Sequence, residues 1–280
     1  MRVVILGAGY GTRFQRDADA DASGQYSHLS GIPKPLLPIG DAPLVTHWIR
    51  DLEDVTRHEP VEIEEVVVVV NVLNKPQFEQ WQAGLTTPLK VTLTCDGASS
   101  NDTRPGAIAC MAIGVGNNWS RDVLFIGGDT LFPREFSLAG FLRAAQQQLG
   151  VHPGSCHVTA VPCPEERVSR HGIVELDDQR CVVGFKEKPQ PSETTSRLQC
   201  PCFYLIPAAT LGRLEAYLAS HASLAERDAT GLLVAELARQ GRVVAHPSPG
   251  RYDVGSLETY RSCCQAMAAG RGGAVRTANC

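Results

Sequence analysis

Short runs of consecutive apolar, β-branched residues punctuate the chain, each bounded by glycine or a polar turn: Val3-Val4-Ile5-Leu6, the valines from 66 to 70, and Val123-Leu124-Phe125-Ile126. Runs this short, with no polar alternation, are the pattern of strands buried on both faces of a parallel sheet. Between them apolar residues recur at helical spacing. Leu44, Val45, Trp48, Ile49, Leu52 and Val55 form one stripe of a helix predicted over 43–55, opening at Pro43. Further helices are predicted over 75–83, 106–115 and 136–149, with strands at 65–71, 91–94 and 123–127. This alternation predicts an α/β fold of Rossmann-like type, a mostly parallel sheet covered by helices on both faces.

Past Cys156 the texture changes. Short strands are predicted at 158–162, 172–176, 181–187 and 202–206, with a hairpin turn at Asp177-Asp178. This half is expected to extend the sheet and wall an acceptor site. Helices follow at 208–219 and 231–239, then a strand at 243–246 and a last helix at 257–269. The tail from Gly270 is rich in glycine and alanine and is expected to be disordered. Residues 14–30 are polar, with Asp17, Asp19 and Asp21 alternating with alanine, and read as a solvated loop or lid.

With 280 residues, 43% of them hydrophobic, the chain has enough material for one large α/β domain with a substantial core. A net charge of -4 and the absence of a basic cluster exclude a general nucleic-acid binder, so any polyphosphate site must gather its cations locally. No segment has the length or apolarity of a membrane span or a signal-peptide core. The ten cysteines lack zinc-ligand spacing, and without a secretory signal they read as thiols of a cytosolic protein.

The chemistry concentrates near the N-terminus. Leu6-Gly7-Ala8-Gly9-Tyr10-Gly11-Thr12-Arg13 closes the first strand with a glycine loop, whose backbone N–H groups can approach phosphate oxygens closely. Its glycines miss the dinucleotide spacing by one position, and no P-loop occurs anywhere. A bare strand-to-helix turn would have the same spacing. Arg13 and Lys34, the latter in Pro33-Lys34-Pro35-Leu36-Leu37-Pro38-Ile39, add two fixed cations. Asp129 follows a buried strand and two glycines, which delivers a carboxylate to the sheet's carboxyl edge, although a turn-forming aspartate would look alike. Asp253 in Tyr252-Asp253-Val254-Gly255-Ser256 is open to the same two readings.

Together the glycine loop and the Pro33–Ile39 segment resemble the signature of the sugar-1-phosphate nucleotidylyltransferases, G-x-G-T-R followed by P-K-P-L-L-P-I. The family includes glucose-1-phosphate thymidylyltransferases and mannose-1-phosphate guanylyltransferases. The resemblance recurs in order along the chain, from Gly7 to Gly255. It implies the nucleotide-diphospho-sugar transferase fold, with Leu6, Gly7, Ala8, Gly9, Gly11 and Thr12 around the nucleotide and Arg13 and Lys34 on its phosphates. It implies that Asp129 and Asp253 ligate Mg²⁺, and that Glu187 and Lys188 in Phe185-Lys186-Glu187-Lys188-Pro189 hold the sugar and its phosphate. Gly172 would admit the sugar ring, in a motif where the family's usual Tyr is replaced by His171. Asn101 and Gly106 fall where the family reads the base, without its usual Gln, and Asp228 falls near an acidic sugar-binding position.

The implied activity is Mg²⁺-dependent transfer of a nucleotidyl group from a nucleoside triphosphate to a sugar 1-phosphate by a single domain over 1–269. Residues 1–150 would bind nucleotide and 151–269 sugar phosphate. Glucose with thymidine is the pairing that chain length suggests. A non-catalytic regulatory paralogue that binds nucleotide sugar, and a cytidylyltransferase acting on a small phosphorylated alcohol, are the alternatives. Expected partners are the small-molecule substrates alone, with no nucleic acid and no membrane. Homo-oligomers are common among similar enzymes, but no interface is legible in the sequence.

Overall fold

The computed structural model describes residues 1–271. Its elements in chain order begin β1 (Arg2–Leu6), α1 (Thr12–Asp19), β2 (Pro38–Ile39), β3 (Ala42–Pro43), α2 (Leu44–His58), β4 (Glu65–Val70), α3 (Lys75–Ala83) and β5 (Val91–Cys95). Then come α4 (Ala107–Val115), β6 (Val123–Gly127), β7 (Thr130–Leu131), α5 (Leu138–Val151), β8 (Cys156–Pro162), β9 (Gly172–Leu176), β10 (Val182–Glu187) and β11 (Leu198–Gln199). The chain continues with β12 (Phe203–Ile206), α6 (Ala208–Ser220), α7 (Leu224–Arg227), α8 (Thr230–Gln240), β13 (Val243–Pro247), β14 (Tyr252–Asp253) and α9 (Leu257–Arg271).

One ten-stranded sheet runs through both halves in the order β10-β9-β11-β8-β12-β6-β1-β4-β5, with β13 also paired to β8. Parallel pairing joins β6, β1, β4 and β5. All strands but β10, β11 and β12 point the same way, so the expected mostly parallel α/β sheet is present. Successive residues of a strand face opposite sides, and both sides of the central strands are buried. Val3, Ile5, Val66, Val68 and Ile126 pack with Trp48, Phe78, Phe141 and Tyr260 on one face. Val4, Val67, Val69 and Phe125 pack with Met111, Leu211 and Leu233 on the other. That double burial is why these strands carry no polar alternation.

The segment 14–30 departs from expectation. It is not a loop throughout: α1 occupies Thr12–Asp19, and a 3₁₀ turn occupies Ser27–Leu29. Phe14 and Ala18, one helical turn apart, are fully buried, and Phe14 meets the Tyr260 ring edge-on at 5.7 Å. Two apolar residues sufficed to anchor the helix against α9, too weak a stripe to see among the aspartates. Asp21 accepts from the Ser23 hydroxyl at 2.7 Å and the Tyr26 N–H at 3.2 Å, so it builds the following turn. Of the tail expected to be disordered, 272–280 lies outside the described residues, while Gly270 and Arg271 complete α9. Among the described residues no helix is long and apolar enough to cross a membrane, and the cysteines are free thiols.

One short two-stranded ribbon matters more than its length suggests. β14 pairs antiparallel with β7, setting Asp253 opposite Thr130, and the Val254 N–H donates to the Asp129 carbonyl at 2.8 Å. The buried Trp48 indole N–H donates to the Thr130 carbonyl at 2.8 Å, fixing β7 from the core side. Trp48→Phe would leave that carbonyl without a partner, and urea unfolding should show a loss of about 1–3 kcal/mol.

A histidine pair joins β8 to β13, with His157 buried and His246 half-buried: His157 Nδ1 lies 3.0 Å from His246 Nε2, and Ser155 Oγ lies 3.1 Å from His157 Nε2. Burial first, then His246 and Arg242, lowers His157 from 6.5 to about 3. Burial and then Arg180 lower His246 to about 4. The unfolded chain therefore holds more protons than the folded one below pH 6.5. The pair's stability contribution is complete above that pH and falls away as pH drops through 4 toward 3. Urea titrations at pH 7 and pH 5 should show the loss, and His157→Gln should reduce it.

Candidate active site

A cleft of about 530 Å³ opens at the carboxyl ends of β5, β1 and β6. Sheet order reverses at β1, which lies between β6 and β4, and in open α/β sheets such a switch point leaves a crevice above the strand ends. Leu6, Gly7, Ala8, Gly9, Tyr10 and Gly11 line its floor. Asn71, fully buried after β4, pins that loop by donating to the Ala8 carbonyl at 2.9 Å. Gly128 lies so close that a side-chain methyl there would collide with the Leu6 carbonyl, which brings Asp129 beside the loop.

The charged groups assemble from distant parts of the chain. Lys34, in a 3₁₀ turn of Lys34–Leu36, places Nζ 3.0 Å from Asp129 Oδ2. Asp253 arrives through the β7–β14 ribbon. Arg251 donates to Asp253 Oδ2 at 3.1 Å and to His171 Nδ1 at 3.0 Å. Burial raises the Asp129 carboxyl, but the Lys34 ammonium and then Arg251 outweigh it and hold the group below the usual carboxylate range. Asp253 goes the other way, raised by burial and then by the Asp129 charge against the pull of Arg251, Lys34 and Arg13. His171 is lowered to about 4 by burial first and then by Arg251, Arg167, Arg170 and Lys188, so it stays neutral and accepts from Arg251.

At the far wall, Gly172 pairs with Glu187 across β9 and β10. Lys188 Nζ lies 3.6 Å from Glu187 Oε1. Burial raises Glu187 against the Lys188 charge. Lys188 sits in the left-handed region at φ 48°, with its N–H donating to the His171 carbonyl at 3.1 Å. A non-glycine residue held there stores backbone strain, a common mark of functional positions. The Phe185 ring packs between Gly172 and Gly231, where any side chain would overlap it.

Most residues singled out from sequence therefore share one cleft: Leu6 to Gly11, Lys34, Asn101, Gly106, Asp129, Gly172, Glu187, Lys188, Asp228 and Asp253. Two stand apart. Thr12 and Arg13 begin α1, both exposed and outside the cleft wall, although the Arg13 charge is felt at Asp253. Asn101 and Asp228 reach the cleft with part of their chemistry committed. The Arg104 fork binds both Asp228 oxygens, at 3.1 and 2.9 Å, and the Asn101 carbonyl at 2.6 Å. Sequence reading missed Tyr10, Asp96, Arg104, Arg170 and Arg251 in the lining. Arg251 had a signal: it precedes Asp253 by two residues, the spacing that puts side chains on one side of an extended chain.

Among the described residues no three His, Cys, Asp or Glu side chains cluster as an all-protein metal cage. Two adjacent carboxylates with oxygen donors, leaving the other positions to phosphate and water, suit a hard cation such as Mg²⁺.

A model of the nucleotidyl transferase family matches residues 2–269. The chain belongs to that family. Comparison with the curated proteins finds no match. Among solved structures, this nucleotidyl transferase shares its fold with a UDP-glucose pyrophosphorylase complexed with UDP-glucose, at TM-score 0.71 and 18% identity over 96% of this chain and 99% of that one. An apo UDP-glucose pyrophosphorylase gives 0.69 and 17%, over 96% and 98%. The family match is consistent with the cleft's balance, in which cations face two carboxylates above a glycine loop.

Gly231→Ala should press its methyl into the Phe185 ring and cost about 1–3 kcal/mol in urea unfolding. Gly212→Ala, where nothing lies within 4 Å of the added carbon in α6, is the matched control and should be neutral or stabilising.

Proposed function

We propose that the protein catalyses Mg²⁺-dependent transfer of a nucleotidyl group from a nucleoside triphosphate to a sugar 1-phosphate, releasing pyrophosphate and forming a nucleoside diphosphate sugar. One observation carries the reading: the pairs Lys34–Asp129, Arg251–Asp253 and Lys188–Glu187 all face a single cleft floored by the glycine loop. The UDP-glucose in the complex of the fold-mate supports a nucleotide sugar as the occupant. Residues 1–150 form the nucleotide half of one domain in this reading, and 151–269 the acceptor half. The cytosol suits it, since reduced thiols persist there.

The chemistry follows from charge. A sugar phosphate and a triphosphate repel each other, so the site must offset that repulsion and align an in-line displacement. Held by Asp129 and Asp253, Mg²⁺ would neutralise phosphate oxygens and act as a Lewis acid. Lys34 and Arg251, each beside one of those carboxylates, hold positive charge against the triphosphate. Lys188 orients the acceptor phosphate, and Glu187 accepts from sugar hydroxyls. An acceptor phosphate oxygen forms the new bond to the α-phosphorus as the bond to the bridging oxygen breaks, and pyrophosphate leaves with that electron pair. No covalent enzyme intermediate is needed. Glucose with thymidine, the pairing suggested by chain length, is one combination within this class.

Purified protein given Mg²⁺, each nucleoside triphosphate and a panel of sugar 1-phosphates should release pyrophosphate, and chelation should stop it. Asp129→Asn and Asp253→Asn should each lower kcat by about 100-fold or more. Lys188→Ala should raise KM for the acceptor with little effect on KM for the triphosphate. Undiminished turnover in Asp129→Asn would sink the metal assignment. Turnover with choline phosphate but no sugar phosphate would sink the acceptor class.

A further inference from the structure

One corner of the cleft is not used by the transfer chemistry. The strand order sets Asp129, after β6, on one side of the glycine loop, and Asp96, after β5, on the other. In the proposed reading, with the triphosphate at Lys34 and Arg251, the part of the cleft left for the nucleoside is the wall of β5 and the start of α4, which Asp96 and Gly106 line. Asp96 stands there as an acceptor held by its turn. Its Oδ1 accepts the Ala98 N–H at 2.9 Å, in a turn made possible by Gly97 at φ 80°. Among the described residues its Oδ2 meets only the Cys110 thiol, at 3.9 Å. The nearby cation Arg104 has its fork on Asp228. On the same cleft wall the Tyr10 hydroxyl is closed off from solvent and, among the described residues, has no hydrogen-bond partner. Tyr10 and Asp96 line the same cleft, and burial first, then the Asp96 charge, raise the Tyr10 phenol.

We propose that Asp96, at the corner where the resemblance places the base, selects guanine. The inference rests on the nucleotidyl-transfer reading and replaces thymine, which rested on chain length alone. A carboxylate only accepts, and each oxygen has two lone pairs, so Oδ1 keeps its backbone bond while the group binds a base. Guanine presents two adjacent donors, N1–H and the N2 amino group, to the two oxygens, and its O6 accepts from a phenol such as Tyr10. Uracil and thymine offer a single N3–H between two carbonyls, one of which would face a carboxylate oxygen. Cytosine and adenine set their amino group beside a bare ring nitrogen, with the same clash of lone pairs. A site built around a polar pair rejects the analogue that leaves it unpaired.

The test is equilibrium binding of GTP, ITP, UTP, dTTP, CTP and ATP to the full chain with Mg²⁺ and no acceptor. GTP should bind most tightly. ITP, which lacks only the N2 amino group, should bind roughly 10- to 100-fold more weakly, the loss expected for a hydrogen bond to a charged group. Asp96→Asn should weaken GTP by a similar factor and narrow its lead over UTP. The GTP-to-ITP ratio is read on the unaltered protein, so the test stands even if that variant folds poorly. Equal binding of ITP and GTP, or tighter binding of any other triphosphate, overturns the proposal. Guanine-selective binding without pyrophosphate release leaves it standing and defeats the catalytic reading, whereas turnover led by UTP does the reverse. No binding by any triphosphate defeats both.

Discussion

Two carboxylates that repel each other have to be held side by side, and the architecture around the cleft answers to that constraint. Asp129 and Asp253 are 124 positions apart in the chain, yet the β7–β14 ribbon makes them neighbours. Each has a cation in contact, Lys34 on one and Arg251 on the other. Opposite charge within contact distance favours the ionised form, while burial and like charge oppose it. The two carboxyls therefore shift in opposite directions, Asp129 down and Asp253 up. The same imbalance makes the pair receptive to a further positive charge.

The ribbon owes its position to the core. Trp48 holds β7 by its indole N–H while its ring stacks on Phe203 at 5.5 Å and meets Phe132 edge-on at 6.0 Å. Phe203 opens β12, the antiparallel strand inserted between β6 and β8. One aromatic cluster thus ties together the strand that delivers Asp129, the ribbon that delivers Asp253 and the start of the second half. Site and core are not separable here: the Trp48 indole links the aromatic cluster to the ribbon that carries Asp253.

Much of this was legible in the residue order. The buried strands announce themselves because both faces are covered, and β6 was readable to the residue. Motifs at strand ends were found because the sheet's carboxyl edge is where glycine and a following carboxylate recur. What escaped was of another kind. α1 carries only Phe14 and Ala18 toward the core, and β2, β3, β7, β11 and β14 are too short for periodicity to register. Tyr10, Asp96 and Arg104 look like ordinary loop residues until the fold brings β5, α4 and the glycine loop to one wall. Arg13, placed next to the loop by sequence, begins α1 as an exposed residue outside the cleft lining, with its charge felt at Asp253.

Lys188 illustrates a tension in how such a site persists. Its left-handed backbone is the conformation glycine adopts without penalty, whereas a lysine there costs about 1 kcal/mol. Replacement by glycine would relax the chain and remove the ammonium together. Under the proposed function, in which Lys188 orients the acceptor phosphate, robustness and turnover pull in opposite directions at this position. A descendant freed from the need for catalysis would gain stability by surrendering that side chain.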